Sequence, residues 1–189
     1  MPPALATDAA RIVREWVPAD ASDREMHASF TRRFLQAEPP LYRGDGADHA
    51  TASCIVFDAT LTKTLLVFHG KGQFWVQPGG HIEGEDETIL AAALRELREE
   101  TGLVLGEDAF VAHDLDHHAL SASFGRCASH LDFGVAVIAD PGARLVVSDE
   151  SDAVRWFDID ALPEQIPGNA ERRYLSLRSR AKAALSSVT

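Results

Sequence analysis

The chain has 189 residues, 46% hydrophobic and 25% charged, with 18 Lys and Arg against 29 Asp and Glu for a formal net charge of −11. At this length folding buries roughly 70% of the surface that the unfolded chain exposes, so a core forms without disulfides or a structural metal. Composition thereby excludes a disulfide scaffold, a collagen and a disordered tail.

The chain opens with neither a basic leader nor an export-length apolar stretch, and nowhere do 18 apolar residues run together, so a cytoplasmic protein with no membrane anchor is expected. Residues 8–17 and roughly 22–37 read as helices, the second opening on Ser22 with Glu25 three residues later as a capping box. Pro18 punctuates the first, and Pro39-Pro40 stops the second. Ala52 to Phe57 and Thr64 to Phe68 are β-branched and aromatic runs around a polar turn, the pattern of a hairpin or of adjacent strands. Cys54 lies in the first of these and Cys127 far off, with no Cys-x-x-Cys spacing to hold zinc or run redox chemistry, which suits a reducing compartment. Phe74 to Gln77 reads as a further strand, ended by Pro78-Gly79-Gly80. Thr88 to Thr101 is the most regular helix: Leu90, Leu94, Leu97 and Thr101 recur at helical spacing, and Gly102 supplies a left-handed cap. His130 to Ala139, Arg144 to Val147 and Val154 to Phe157 read as strands, and Glu171 to Leu185 as a closing helix that carries the basic residues. Helices and strands do not strictly alternate, so an α+β or sandwiched mixed sheet is expected rather than a doubly wound parallel one.

Charge is concentrated in the middle. Residues 46–170 hold 7 basic and 21 acidic side chains, against 6 and 7 in residues 1–45 and 5 and 1 in residues 171–189. This field argues against a protein that grips long DNA or RNA through its phosphates. On the helix from Thr88 to Thr101, Glu96, Glu99 and Glu100 lie together opposite the leucines. Carboxylates at i, i+3 and i+4 repel unless a hard cation such as Mg²⁺ or Mn²⁺ sits among them. The plainer reading is a solvated helix face on which Arg95 pairs with Glu99 and Arg98 supports the rest.

The flanking residues favour the metal reading. Gly79-Gly80-His81-Ile82-Glu83-Gly84 precedes the helix, and Arg95-Glu96-Leu97-Arg98-Glu99-Glu100-Thr101-Gly102-Leu103 ends it. Pro78 to Leu103 resembles the signature box of the Nudix (MutT-like) hydrolases, Gly-x5-Glu-x7-Arg-Glu-U-x-Glu-Glu-x-Gly-U with U aliphatic. The second half matches in full. In the first half Asp86 stands where the box has Glu, and Arg95 follows Gly80 by fifteen residues instead of fourteen. Counting back from Arg95 places the bracing carboxylate on Glu87, with Glu85 and Asp86 as the alternatives.

The resemblance covers about residues 48–165 and implies an α/β/α sandwich around a mixed sheet. It divides the chain into an N-terminal helical extension over 1–45, the hydrolase domain over 46–165, and a C-terminal helix over 166–189 packed on that domain. It further implies Mg²⁺, with Mn²⁺ as a substitute, held by Glu96, Glu99, Glu100 and the Gly80 carbonyl, with Arg95 orienting a metal-binding glutamate. The implied reaction is attack of water on one phosphorus of a nucleoside diphosphate linked to a further moiety. Nucleotide sugars and ADP-ribose rank ahead of nucleoside triphosphates as substrates. Glu99, Glu100 or, from outside the box, Glu150 would take the proton.

Weaker signals surround this box. Trp75 and Phe124, with Phe74 and Trp156 nearby, are candidates for base stacking, although buried aromatics are commonly core. His81, beside Gly80, is a candidate phosphate contact. His117, His118 and His130 with Asp114 and Asp116 suggest a second metal site, yet nothing in their spacing fixes a ligand geometry, and loop solvation or core hydrogen bonds are the preferred reading. The N-terminal helices have three open uses: covering the sheet, touching substrate, or forming a homodimer contact. A competing function is a Nudix-like module that senses a nucleotide without cleaving it, which the three repelling glutamates disfavour. An isomerase using a catalytic cysteine ranks lower, since Cys54 sits in an apolar strand.

Overall fold

A computed structural model gives the fold for residues 4–120 and 127–187. Helices α1 (Ala4–Glu15) and α2 (Ala21–Phe34) precede strands β1 (Asp48–Phe57), β2 (Lys63–His69), β3 (Phe74–Val76) and β4 (Gly79–His81). Helix α3 (Ile89–Thr101), strands β5 (Phe110–Ala119), β6 (Ser129–Ile138) and β7 (Ser151–Asp158), and helix α4 (Ala170–Ser186) complete the order. Phe124, a proposed base platform, lies outside the described residues.

The strands form one mixed seven-stranded sheet in the order β3-β2-β1-β6-β5, with β4 on β1 and β7 on β2. Its centre is the parallel pair of β1 and β6, in register from Asp48 opposite Ser129 to Phe57 opposite Ile138. The other edge of β1 is shared: its start pairs with β4 and its end with β2, both antiparallel.

Alternation along the central strands separates two cores. Ala50, Ala52, Cys54 and Val56 of β1 and Leu131, Phe133, Val135 and Val137 of β6 face α1, α2 and α3. Phe133 meets the rings of Phe30 and Phe34 edge-on, with centroids 5.2 and 4.8 Å apart. Ile55, Phe57 and Ala136 face the other way, toward Tyr174, Leu177 and Ala181 of α4. The result is the expected helix–sheet–helix sandwich, in which the N-terminal helices cover one face of the sheet.

The α4 face also buries charge. Arg173 is 5% exposed; its Nε donates to Asp114 at 2.7 Å and its Nη2 to Asp132 at 2.7 Å, with Asp116 3.9 Å from Nη1. Thr51 and Ser53 donate to the same Asp132 carboxylate at 2.8 and 2.5 Å, and Asn169 to Asp116 at 3.0 Å. Opposite charge and these donors hold Asp116 and Asp132 below the usual carboxylate range against burial, whereas burial outweighs Arg173 at Asp114 and raises it.

Several elements differ from the sequence expectation. The second helix opens on Asp20, which accepts from the Asp23 amide, while the Asp23 carboxylate accepts from the Ala19 amide; Ser22 and Glu25 form no cap. Two residues of shift bring a better-placed carboxylate to the helix start. Arg144 to Val147 is not a strand, since among the described residues no strand pairs with it; the Val146 amide instead donates to the Thr101 carbonyl. Strands β4 and β5 were not anticipated. His117 and His118 lie on β5 rather than in a loop, bonded to Ser129 at 2.9 Å and Asp116 at 2.8 Å.

Candidate active site

Helix α3 is set by its ends. Thr88 accepts from the Ala91 amide at the start, and Gly102, at φ 73°, closes the other end with its amide on the Arg98 carbonyl. A second acceptor comes from α1, where Asp8 takes the Ile89 amide at 2.9 Å. Ile89, Ala92, Ala93, Leu97 and Thr101 form the buried stripe, with Leu90 and Leu94 half-buried at its margin. This orientation aims Glu96 and Glu100 at the Pro78-Gly79-Gly80 turn. The Gly79 amide donates to Glu100 Oε2 at 2.9 Å. A Cβ on Gly80 would stand 2.7 Å from Glu96 Oε2, so a larger residue there would push the Glu96 carboxylate from its present place.

Arg95 ties the cluster together. Its Nε and Nη2 donate to both oxygens of Asp86 at 3.2 and 2.9 Å, Nη2 also reaches the His81 carbonyl at 2.9 Å, and Nη1 donates to Glu96 at 2.9 Å and Glu99 at 3.2 Å. The bracing residue is therefore Asp86, not Glu87, whose side chain is exposed. Counting forward from Gly80 lands on Asp86, and the extra residue falls between Asp86 and Arg95. Asp86 in turn accepts from the Glu83 amide at 2.8 Å, which fixes the loop ahead of α3.

The electrostatics are those of a site short of positive charge. Burial pushes Glu100 up to about 8, opposed by the Gly79 hydrogen bond and reinforced by Glu96, Glu150 and Glu99. Glu96 is raised for the same reason, burial first, with Arg95 pulling the other way. Glu150, exposed in the turn before β7, adds to the upward shift of both. Four carboxylates and a glycine backbone offer hard oxygen donors, and a divalent cation among them would relieve the burial and mutual repulsion that raise Glu96 and Glu100. The donor set therefore fits a hard divalent cation.

Two proposed substrate contacts point elsewhere. Trp75 is 8% exposed and its ring packs against Phe68 and Phe157, with centroids 5.1 and 4.8 Å away, so it is core on the α4 face and not a free platform. The His81 imidazole turns toward His49 and His130, with centroids 5.1 and 5.3 Å away; only its carbonyl, through Arg95, serves the glutamate cluster. Cys54 is fully buried and its thiol donates to the Ala93 carbonyl at 3.3 Å, so it is no nucleophile.

The sequence pattern of the NUDIX domain matches residues 47–178. Among curated proteins, the chain is 65% identical over 48 residues to the m7GpppN-mRNA hydrolase NUDT17 of Danio rerio, a stretch covering 25% of this chain and 16% of that one. It is 47% identical over 58 residues to the phosphatase NudJ of Escherichia coli K12, covering 29% of this chain and 35% of that one. The chain thus spans well under half the length of these relatives. Among solved structures, an Ap4A hydrolase binary complex of C. elegans superposes with a TM-score of 0.52 at 18% identity, over 73% of this chain and 98% of that one, a likeness of fold. With the domain matched over more than half its length and the glutamates gathered beneath the Gly79-Gly80 turn, the chain belongs to the NUDIX family, whose hydrolases act on pyrophosphate bonds.

Proposed function

We propose that this protein is a Mg²⁺-dependent pyrophosphohydrolase of a nucleoside diphosphate linked to another moiety, with nucleotide sugars and ADP-ribose favoured over nucleoside triphosphates and Mn²⁺ able to substitute. The observation that carries the reading is the convergence of Glu96, Glu99 and Glu100 beside Gly79 and Gly80, held by an Arg95 that Asp86 anchors at two points.

Glu96, Glu99 and Glu100, with Glu150 and the Gly80 carbonyl, would hold the cation. When bound, the cation neutralises pyrophosphate oxygens that otherwise repel an incoming water and acidifies a coordinated water. Arg95 orients Glu96 and Glu99 by donating to both. Glu99 and Glu150 are the solvent-facing members of the cluster, and Glu150 is retained as the candidate base that accepts the proton of the attacking water. The buried face of α3 fixes the backbone from which these groups project, so they are aligned before substrate arrives.

The test is product release from a panel of nucleotide sugars, ADP-ribose and nucleoside triphosphates, with Mg²⁺, with Mn²⁺ and with chelator, the Glu99→Gln protein alongside. Metal-dependent cleavage of a nucleoside diphosphate derivative that Glu99→Gln abolishes is the expected result. Nucleotide binding without cleavage of any compound would instead make the protein a sensing module.

A further inference from the structure

The sheet register gathers a second donor set that the glutamate helix does not use. On the parallel pair of β1 and β6, His49 stands opposite His130, and on the antiparallel pair of β1 and β4, Thr51 stands opposite His81. The three imidazoles form a near-equilateral triangle, with centroid separations of 5.1, 5.3 and 5.3 Å. Cys127, two residues ahead of β6, brings its Sγ to 4.0 Å from His81 Nε2. One donor atom from each of the four residues lies within 4.8 Å of every other.

Among the described residues, two of the rings present an unpartnered nitrogen. His49 is fully buried, and its Nδ1 donates to the Gly46 carbonyl at 2.9 Å, which leaves the lone pair on Nε2. That Nε2 and the Nε2 of His130 are both buried, and neither has a hydrogen-bond partner among the described residues. Buried polar nitrogens are normally satisfied, and these two sit in the same cluster as a thiol. A set of three imidazole nitrogens and one thiolate is softer than the oxygen donors of α3 and suits tetrahedral zinc. Donors of such a zinc stand roughly 3.5 Å apart, so modest side-chain rotation closes the observed spread.

We propose that His49, His81, His130 and Cys127 bind a zinc ion in a site separate from the glutamate cluster. Binding releases one proton, that of the Cys127 thiol, as the zinc–sulfur bond forms. The ion ties together the start of β1, strand β4 and the entry to β6, segments far apart in the chain. Through the His81 backbone, whose carbonyl accepts from Arg95, it steadies the turn on which the glutamates rest.

The test uses the full chain, purified without added metal and equilibrated with zinc or with cobalt. With excess Mg²⁺ present to occupy the glutamate cluster, one zinc per chain is expected, and the cobalt form should show the intense visible bands of a four-coordinate ion together with a thiolate-to-cobalt charge-transfer band. Cys127→Ser should remove the charge-transfer band. Cys127→Ser and His130→Ala should each weaken zinc binding by more than the roughly 10–100-fold that loss of an outer-shell partner costs. A Glu96→Gln/Glu99→Gln protein should retain both stoichiometry and spectrum, separating this site from the glutamates. Substoichiometric zinc in the unmodified chain, a weak six-coordinate cobalt spectrum, or a charge-transfer band that survives Cys127→Ser would overturn the proposal, and the first two of these require no variant to fold.

Discussion

Asp86 grips Arg95 by both carboxylate oxygens, at 3.2 Å from Nε and 2.9 Å from Nη2, leaving Nη1 free to reach Glu96 and Glu99. Without that anchor the guanidinium can follow its glutamates away from the Gly79-Gly80 turn. Asp86→Ala is expected to lower kcat by about 10–100-fold with a smaller change in KM, the range for losing a group that orients a metal ligand. Glu87→Gln, altering an exposed side chain, should leave both constants unchanged. Steady-state kinetics of the two proteins check this, and equal losses would return the bracing role to Glu87.

Glu99→Gln and Glu100→Gln preserve side-chain shape while removing charge from the donor set. Each should reduce turnover by about 100-fold or more at saturating Mg²⁺, with circular dichroism unchanged. Full activity in both would sink the metal-site assignment.

The raised Glu100 carboxyl predicts how stability depends on pH. An acid whose folded value is about 8, against about 4.5 unfolded, keeps a proton in the native state that the unfolded chain has already lost. Metal-free protein should therefore lose stability as pH rises through that window. His81, His113 and His130, held by burial at about 4, act in the opposite sense only below 6.5, so urea midpoints between about pH 6.5 and pH 8 isolate the carboxyl. A falling midpoint is expected without Mg²⁺. It should flatten in Glu100→Gln and shrink when excess Mg²⁺ takes the place of the proton.

Arg173 pairs with Asp114 and Asp132 directly and with Asp116 at longer range, all within the sheet's α4 face. Arg173→Met would leave these aspartates buried without their cation, and urea denaturation should show a loss of about 3–5 kcal/mol. Gly134→Ala should destabilise through the same group, because the new methyl would stand 2.5 Å from Arg173 Nη2.

Asp8 makes α1 part of the catalytic helix's own start by accepting the Ile89 amide. Asp8→Ala should cost about 1 kcal/mol in thermal or chemical denaturation, the usual value of a lost helix cap.

Local chemistry explains which parts of the molecule were legible in the sequence. Helix α3 was, because its Thr88 cap, its Gly102 terminator and its glutamate spacing all lie within one short segment. Strand β5 was not. Asp114, Asp116 and His118 alternate with His113, Leu115 and His117, so neither face looks apolar, and the charge is neutralised by Arg173 from a helix 59 residues beyond Asp114. Strand β4 has no propensity of its own: Gly79-Gly80-His81 becomes a strand because β1 offers a free edge there. Conversely, Arg144 to Val147 has strand composition but, among the described residues, no strand pairs with it. Trp75 was misplaced for a related reason, since its position in the chain beside the turn says nothing about which side of the sheet its ring enters. The histidine and cysteine set was equally hidden, being assembled by register between strands and not by spacing along one.

The parallel pairing of β1 with β6 sets the order in which the molecule can form. Asp48 and Ser129, 81 positions apart, meet at the first rung of that ladder, and the segment between them contains β2, β3, β4, α3 and β5. Closing so large a loop is entropically costly and is rewarded only once many rungs zip together. The middle of the sheet is accordingly expected to close in the rate-limiting step of refolding, after the local β1–β2 hairpin and α3 have had time to form. Substitutions along the inner rungs, such as Val135→Ala, should slow refolding more than they speed unfolding, whereas changes in α4 should do the reverse.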